Sequence, residues 1–217
     1  MDTLRTFIAI ELPANVRAKI ADHINRLRRE CPDVRASWSR EDNLHLTLKF
    51  LGDVPRERIP ALSSAVEQAV QHMHPFDLIV KDCGAFPPHG RPKVLWIGIS
   101  SEASSAVLLD SAFRNPQSAI SDPASSLPPS SLALSSLHNA LEDHCAAAGF
   151  EPEPRAFHPH LTIVRLREAK RSRAFAQLHK ELGFAPQMFT VSELVLFRSE
   201  LSSQGSKHIA LSRHELG

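Results

Sequence analysis

One tripeptide occurs twice in this chain, and each copy lies in an apolar, β-prone run. His45-Leu46-Thr47 sits in HLTLKFLG and His160-Leu161-Thr162 in HPHLTIVRLR, 115 residues later. With 12 histidines and five threonines in 217 residues, His-x-Thr is expected only about 0.3 times by chance, and about 0.03 times with leucine between them. On a strand, side chains alternate with period 2, so each copy presents an imidazole and a hydroxyl side by side on one face. A chain that repeats this pair must fold so that two such strand faces are both accommodated.

The flanking patterns supply the rest of the frame. Residues 3–11, 34–38, 43–51, 76–86, 93–100, 157–167, 188–198 and 206–213 read as strands, with Gly52-Asp53 breaking the first HLT strand. Helical spacing of apolar residues marks 13–29, 55–73, 132–148 and 170–182, and Gly149 and Gly183 fit helix C-termini. Around each HLT strand the order is helix, HLT strand, helix, strand, strand. The pattern predicts a single domain over 1–217, built of two lobes about a pseudo-two-fold axis, with the His/Thr pairs meeting across a cleft. Ten of the sixteen residues from Pro116 to Ser131 are proline or serine, a composition that cannot bury a core. A flexible insertion is therefore expected at about 101–131, between the two halves.

Composition narrows the function classes. The net charge is +1, so no global field favours bulk coating of nucleic acid, and a nucleic-acid substrate would need its basic contacts to be local. Three widely spaced cysteines without a CxxC argue against a disulfide framework or a zinc site from sequence spacing. No signal-peptide pattern and no apolar run of membrane-spanning length is present, and a cytoplasmic monomer is expected.

Two facing imidazoles suit phosphoester cleavage. Imidazole titrates near neutrality, so one ring serves as base and the other as acid, each role worth about 10²–10⁴ in rate. Thr47 and Thr162 are placed to hold non-bridging phosphate oxygens, and Arg165, three residues after Thr162, adds a forked cationic donor. Such chemistry needs no metal or cofactor. The first copy has Phe50 where the second has Arg165, which makes the half-sites unequal.

HLTLKFLG together with PHLTIVR resembles the 2H phosphoesterase superfamily, and within it the RNA 2′,3′-cyclic phosphodiesterases, or LigT-type 2′-5′ RNA ligases. RTFIAIELP, VRASW, GAFPPHGRPKVLWIGI and VSELVLFRSEL follow that family's pattern in order, leaving out only residues 101–131. The resemblance implies an α+β fold of two lobes, each an antiparallel sheet with helices outside, and an active cleft between the sheets. It implies metal-independent hydrolysis of RNA 2′,3′-cyclic phosphate ends to 2′-phosphomonoesters, with reversible 2′-5′ RNA ligation as a second activity. It assigns His45 as proton donor, His160 as proton acceptor, Thr47, Thr162 and Arg165 as phosphate ligands, and Phe7 as a ring that stacks on a base. Two departures are visible: the proline- and serine-rich stretch is longer than compact members of the family need, and the family often carries a tyrosine in the last strand, where this chain, which has no tyrosine, has His208.

Each residue also has a plainer reading. Thr47 and Thr162 are good strand formers. His158 with His160 makes only a weak metal pair. Lys49 shares the His45 face of an ideal strand and is a lesser candidate for phosphate contact. The run Arg165, Arg167, Lys170, Arg171, Arg173 is equally a solvated helix start or a path for RNA. Alternatives at the level of function are a 2H enzyme of small cyclic nucleotides or 2′-5′ oligonucleotides, and a non-catalytic nucleotide-binding module.

Overall fold

Among the described residues, nine strands make two antiparallel sheets. The computed structural model describes residues 2–101, 130–167, 171–202 and 205–217. Sheet A has the order β3 (His45–Pro55), β1 (Thr3–Glu11), β8 (Glu193–Ser202), β9 (Gly205–Glu215). Sheet B has the order β2 (Ala36–Trp38), β6 (His160–Leu166), β5 (Val94–Ser100), β4 (Phe76–Phe86), β7 (Gln187–Val191). The α-helices among the described residues are α1 (Ala14–Glu30), α2 (Ile59–Val70), α3 (Ser130–Ala147) and α4 (Ser172–Leu182). The helical spacing in α1 buries Val16, Ile20, Ile24 and Leu27, and Gly149 and Gly183 take positive φ just past α3 and α4, where a side chain would be strained.

The two lobes are not the two sequence halves. β1 and β3 of the first half lie in sheet A with β8 and β9, whereas β4 and β5 lie in sheet B with β6 and β7. The repeated unit is strand, helix, HLT strand, helix, strand: β1-α1-β3-α2-β4 and β5-α3-β6-α4-β8. In each unit the first strand pairs antiparallel with the HLT strand, and the last strand crosses to the other sheet. The insertion expected at about 101–131 lies, but for its ends, outside the described residues.

Two boundaries also differ from the pattern reading. β3 runs through Gly52 to Pro55, because Gly52 at φ +68 turns the strand without ending its ladder with β1. Residues 188–198 form two strands, since Ser192 marks the passage from sheet B to sheet A.

Each sheet has a core face and an open face. Ile8, Ile10, Leu46, Leu48, Leu194 and Leu196 of sheet A join Leu95, Ile97, Leu161 and Ile163 of sheet B in one continuous core under the helices. Phe7, Ala9, Val195 and Phe197 form a separate small cluster on the other face of sheet A. Polar contacts fix the helices on this frame. His214 of β9 donates Nδ1–H to Glu67 of α2 (2.6 Å), and its Nε2 accepts from Ser212 (2.8 Å). Lys49, 1 % exposed, donates to Glu142 of α3 (2.6 Å) and to the Glu151 carbonyl (2.9 Å). Among the described residues no helix is long and apolar enough to cross a membrane.

Candidate active site

The two HLT strands carry the same irregularity at the same place. Against β1, Thr47 pairs with Ala9 and Lys49 with Ile8, so Leu48 is an extra residue. Against β5, Thr162 pairs with Trp96 and Val164 with Leu95, so Ile163 is extra. A bulge of this kind puts two successive side chains on one side and shifts the alternation beyond it. The burial records the result: His and Thr are half-buried, the intervening leucine is buried, the next two residues are both buried, and the sixth is exposed, in both strands.

Two consequences follow for the expected residues. Arg165, five positions from His160, would lie on the opposite face of a regular strand; the bulge at Ile163 returns it to the face of His160 and Thr162. The Arg165 charge acts on the His160 ring, in keeping with that proximity. Lys49, placed beside His45 by an ideal strand, is instead turned into the core by the bulge at Leu48, where Glu142 holds it. Its candidacy for phosphate contact is thereby corrected. Phe50, the counterpart of Arg165, comes to the open face and is 58 % exposed.

Both histidines are held by the backbone two residues before them. His160 donates Nδ1–H to the His158 carbonyl at 2.7 Å, which leaves Nε2 to exchange a proton. His45 has the same kind of bond to the backbone of Asn43. Asn43 in turn donates its side-chain amide to the Ser206 carbonyl (2.7 Å), and Ser39 donates to the Thr162 carbonyl (2.7 Å). β3 and β6 are neighbours at the seam between the sheets.

The His45 side is a wall of rings. Phe7 lies against His45 with centroids 4.8 Å apart, and also against Phe197 (5.1 Å) and Phe50 (5.9 Å). Only 3 % of Phe7 is exposed, so it backs the imidazole from within; the ring with open surface beside it is Phe50. His208 of β9 stands edge-on to His45 at 5.0 Å and to Phe7 at 4.9 Å. Its contribution was not legible in the sequence, because no spacing links β9 to β3; the missing tyrosine at that place was the one signal. On the His160 side, Phe86 stands edge-on at 5.1 Å and Trp96 lies 6.5 Å away. Trp96 fits because Gly84 lies beneath its indole, where any Cβ would overlap the ring.

Desolvation sets the proton affinities. Burial, then the neighbouring His208, lowers the His45 pKa to about 4, against the opposing pull of the bond to Asn43. Burial also lowers His160, with the His158 carbonyl opposing and Arg165 adding to the depression. His208 is lowered by burial as well. The free site therefore holds neutral imidazoles awaiting a charge. The basic run beyond Arg165 is committed elsewhere: Arg167 donates to Ser37 (2.9 Å), Arg171 pairs with Asp33 (3.3 Å) and Arg173 donates to the Gly90 carbonyl (2.9 Å); Lys170 lies outside the described residues.

Two antiparallel sheets related by a duplicated unit, each offering one His/Thr pair at a shared seam, define a phosphoesterase of the two-histidine class. The model of the family "LigT like Phosphoesterase" matches residues 10–96 and 127–208, and the chain belongs to that family. It is 27% identical over 205 residues to the RNA 2′,3′-cyclic phosphodiesterase of Methanothermobacter thermautotrophicus, covering 93% of each chain. It is 31% identical over 161 residues to the protein of the same name from Escherichia coli, covering 74% of this chain and 71% of that one. The crystal structure of E. coli LigT complexed with 3′-AMP superposes with a TM-score of 0.65 at 26% identity, over 99% of each chain.

Proposed function

We propose that this chain hydrolyses RNA 2′,3′-cyclic phosphate ends to 2′-phosphomonoesters without a metal. The observation that carries the reading is one half-buried His/Thr pair on each of two neighbouring strands, His45 with Thr47 and His160 with Thr162, with the bulge at Ile163 returning Arg165 to the face of the second pair. The name shared by the relatives supports the substrate class.

His160, neutral and anchored through Nδ1, takes a proton from water at Nε2 as the water oxygen attacks phosphorus. The P–O3′ bond breaks, and protonated His45 delivers its proton to O3′. The product keeps the phosphate on O2′, and proton exchange with solvent resets both rings. Thr47, Thr162 and Arg165 hold the non-bridging oxygens as charge gathers on them. The low pKa of His45 fits this order. A phosphate charge about 4 Å away, at an effective dielectric near 20, favours imidazolium by about 4 kcal/mol, or about three pKa units. Substrate binding thus brings the acid's pKa from about 4 back toward neutrality. Run in reverse, the same groups give 2′-5′ RNA ligation, with the two histidines exchanging roles.

The test is turnover of an oligoribonucleotide ending in 2′,3′-cyclic phosphate, in EDTA. A 2′-phosphate product is expected, with His45→Ala and His160→Ala each lowering kcat by about 10²–10⁴ while nucleotide binding persists. Absence of product from any RNA, or wild-type rates in both variants, would overturn the proposal.

A further inference from the structure

Behind sheet B, on the side away from the open face, three potential metal ligands from three separate elements converge. His23 of α1, Cys83 of β4 and His179 of α4 bring one ligand atom each to within 4.8 Å of one another. The two ring nitrogens are 3.0 Å apart, His23 Nε2 to His179 Nδ1. Both histidines are buried, 8 % and 0 % exposed, while Cys83 is half-buried and gives the cluster its side toward solvent.

The local structure points these atoms inward for identifiable reasons. Asp82 takes φ +63, and the β4 ladder slips between Lys81 and Cys83. This bulge turns Cys83 to the side of Leu78 and Val80, which face the core. His179 donates Nε2–H to the Trp96 carbonyl at 2.9 Å. A carbonyl only accepts, so the proton of His179 is on Nε2 and its Nδ1 carries a lone pair aimed at His23. A ring N–H anchored on a backbone carbonyl is how metal-ligating histidines are commonly oriented.

We propose that His23 Nε2, His179 Nδ1 and Cys83 Sγ form a binding site for a borderline-soft divalent cation, zinc first, separate from the cleft and with a solvent molecule in the fourth position. Zinc bonds of about 2.0–2.1 Å to nitrogen and about 2.3 Å to sulfur imply tetrahedral ligand separations of about 3.3–3.6 Å, so side-chain movement on the order of 1 Å closes the set. The thiol proton is released to solvent, giving one proton per ion bound, and His23 moves its remaining N–H to Nδ1. The bound ion ties α1, α4 and β4 together beneath Trp96, the residue that lies beside His160. No motif shows this site in the sequence, since its ligands stand 60 and 96 residues apart.

The experiment is a cobalt(II) titration of the reduced, full-length protein after EDTA treatment and desalting. A thiolate-to-cobalt charge-transfer band that saturates at one ion per chain is expected, and zinc should displace it. Cys83→Ser, nearly isosteric and at a half-buried position, should abolish the band, whereas Cys31→Ser and Cys145→Ser should retain it. His23→Gln should weaken binding by about 100-fold or more, beyond the 10–100-fold typical of outer-shell changes. Zinc at a hundred times its Kd should raise Tm by about 5–10 °C in the wild type and not in Cys83→Ser. No band at one equivalent, or a band that survives Cys83→Ser, overturns the proposal and leaves the histidine pair a hydrogen-bonded packing element. Ions taken by the cleft histidines would give no thiolate band.

Discussion

Replacing Lys49 by methionine distinguishes a lysine that serves the phosphate from one that serves the core. The Lys49 side chain is 1 % exposed and its ammonium lies 2.6 Å from Glu142, whose side chain is 16 % exposed. It also satisfies the Glu151 carbonyl at 2.9 Å. Methionine keeps most of the buried stem but strands the carboxylate. Removing one partner of a buried pair costs about 3–5 kcal/mol. The lower end, about 3 kcal/mol, applies here, because Glu142 still accepts from the Glu153 N–H at 3.1 Å. For a chain of this length that is a Tm decrease of about 6–12 °C. The assay is denaturant unfolding at neutral pH, paired with steady-state kinetics on the cyclic phosphate substrate. Stability should fall while kcat/KM of the folded fraction stays within about twofold. The double variant Lys49→Met, Glu142→Gln should recover most of the loss, since no charge is left unpaired. Retained stability with collapsed kcat/KM in Lys49→Met would refute the assignment of Lys49 to the core and, with it, the bulge at Leu48.

The pH dependence of kcat/KM follows from the depressed histidines: imidazolium in the free site is lost above about pH 4 at His45, and the His160 limb lies below the ordinary 6.5, so the optimum should be acidic and activity should fall as pH rises through neutrality. Because His208 adds to the lowering at His45, His208→Phe should move the His45 limb upward; an unmoved profile would show that His208 exerts no such influence. Arg165→Gln should lower kcat/KM by about 10²-fold or more with stability within about 0.5 kcal/mol, as the residue is exposed; equal losses in kcat/KM and stability would place it in the fold rather than the site. Gly84→Ala should destabilise by about 1–3 kcal/mol and lower kcat, because the new Cβ enters the Trp96 ring and displaces the floor beside His160; a neutral result in unfolding and kinetics would refute that packing.

Local chemistry determined much of this protein in the linear sequence. Period-2 alternation alone places His45 with Thr47 and His160 with Thr162, because neighbouring side chains on one strand need no partner to share a face. Helical spacing in α1 and the glycines after α3 and α4 were likewise legible, since each depends only on residues a few positions away. What tertiary structure decided lies beyond that range. Arg165 comes to the face of His160 and Thr162, and Lys49 leaves the face of His45, because an extra residue enters each ladder, and a bulge exists only relative to a partner strand. His208 reaches His45 across β1 and β8, and Phe7 becomes a backing ring because Phe197 and Phe50 enclose it. The strand exchange that builds each sheet from both repeats, and the convergence of His23, Cys83 and His179, depend on contacts between distant parts of the chain. No single stretch encodes them, because they are fixed by pairing and packing of several elements at once.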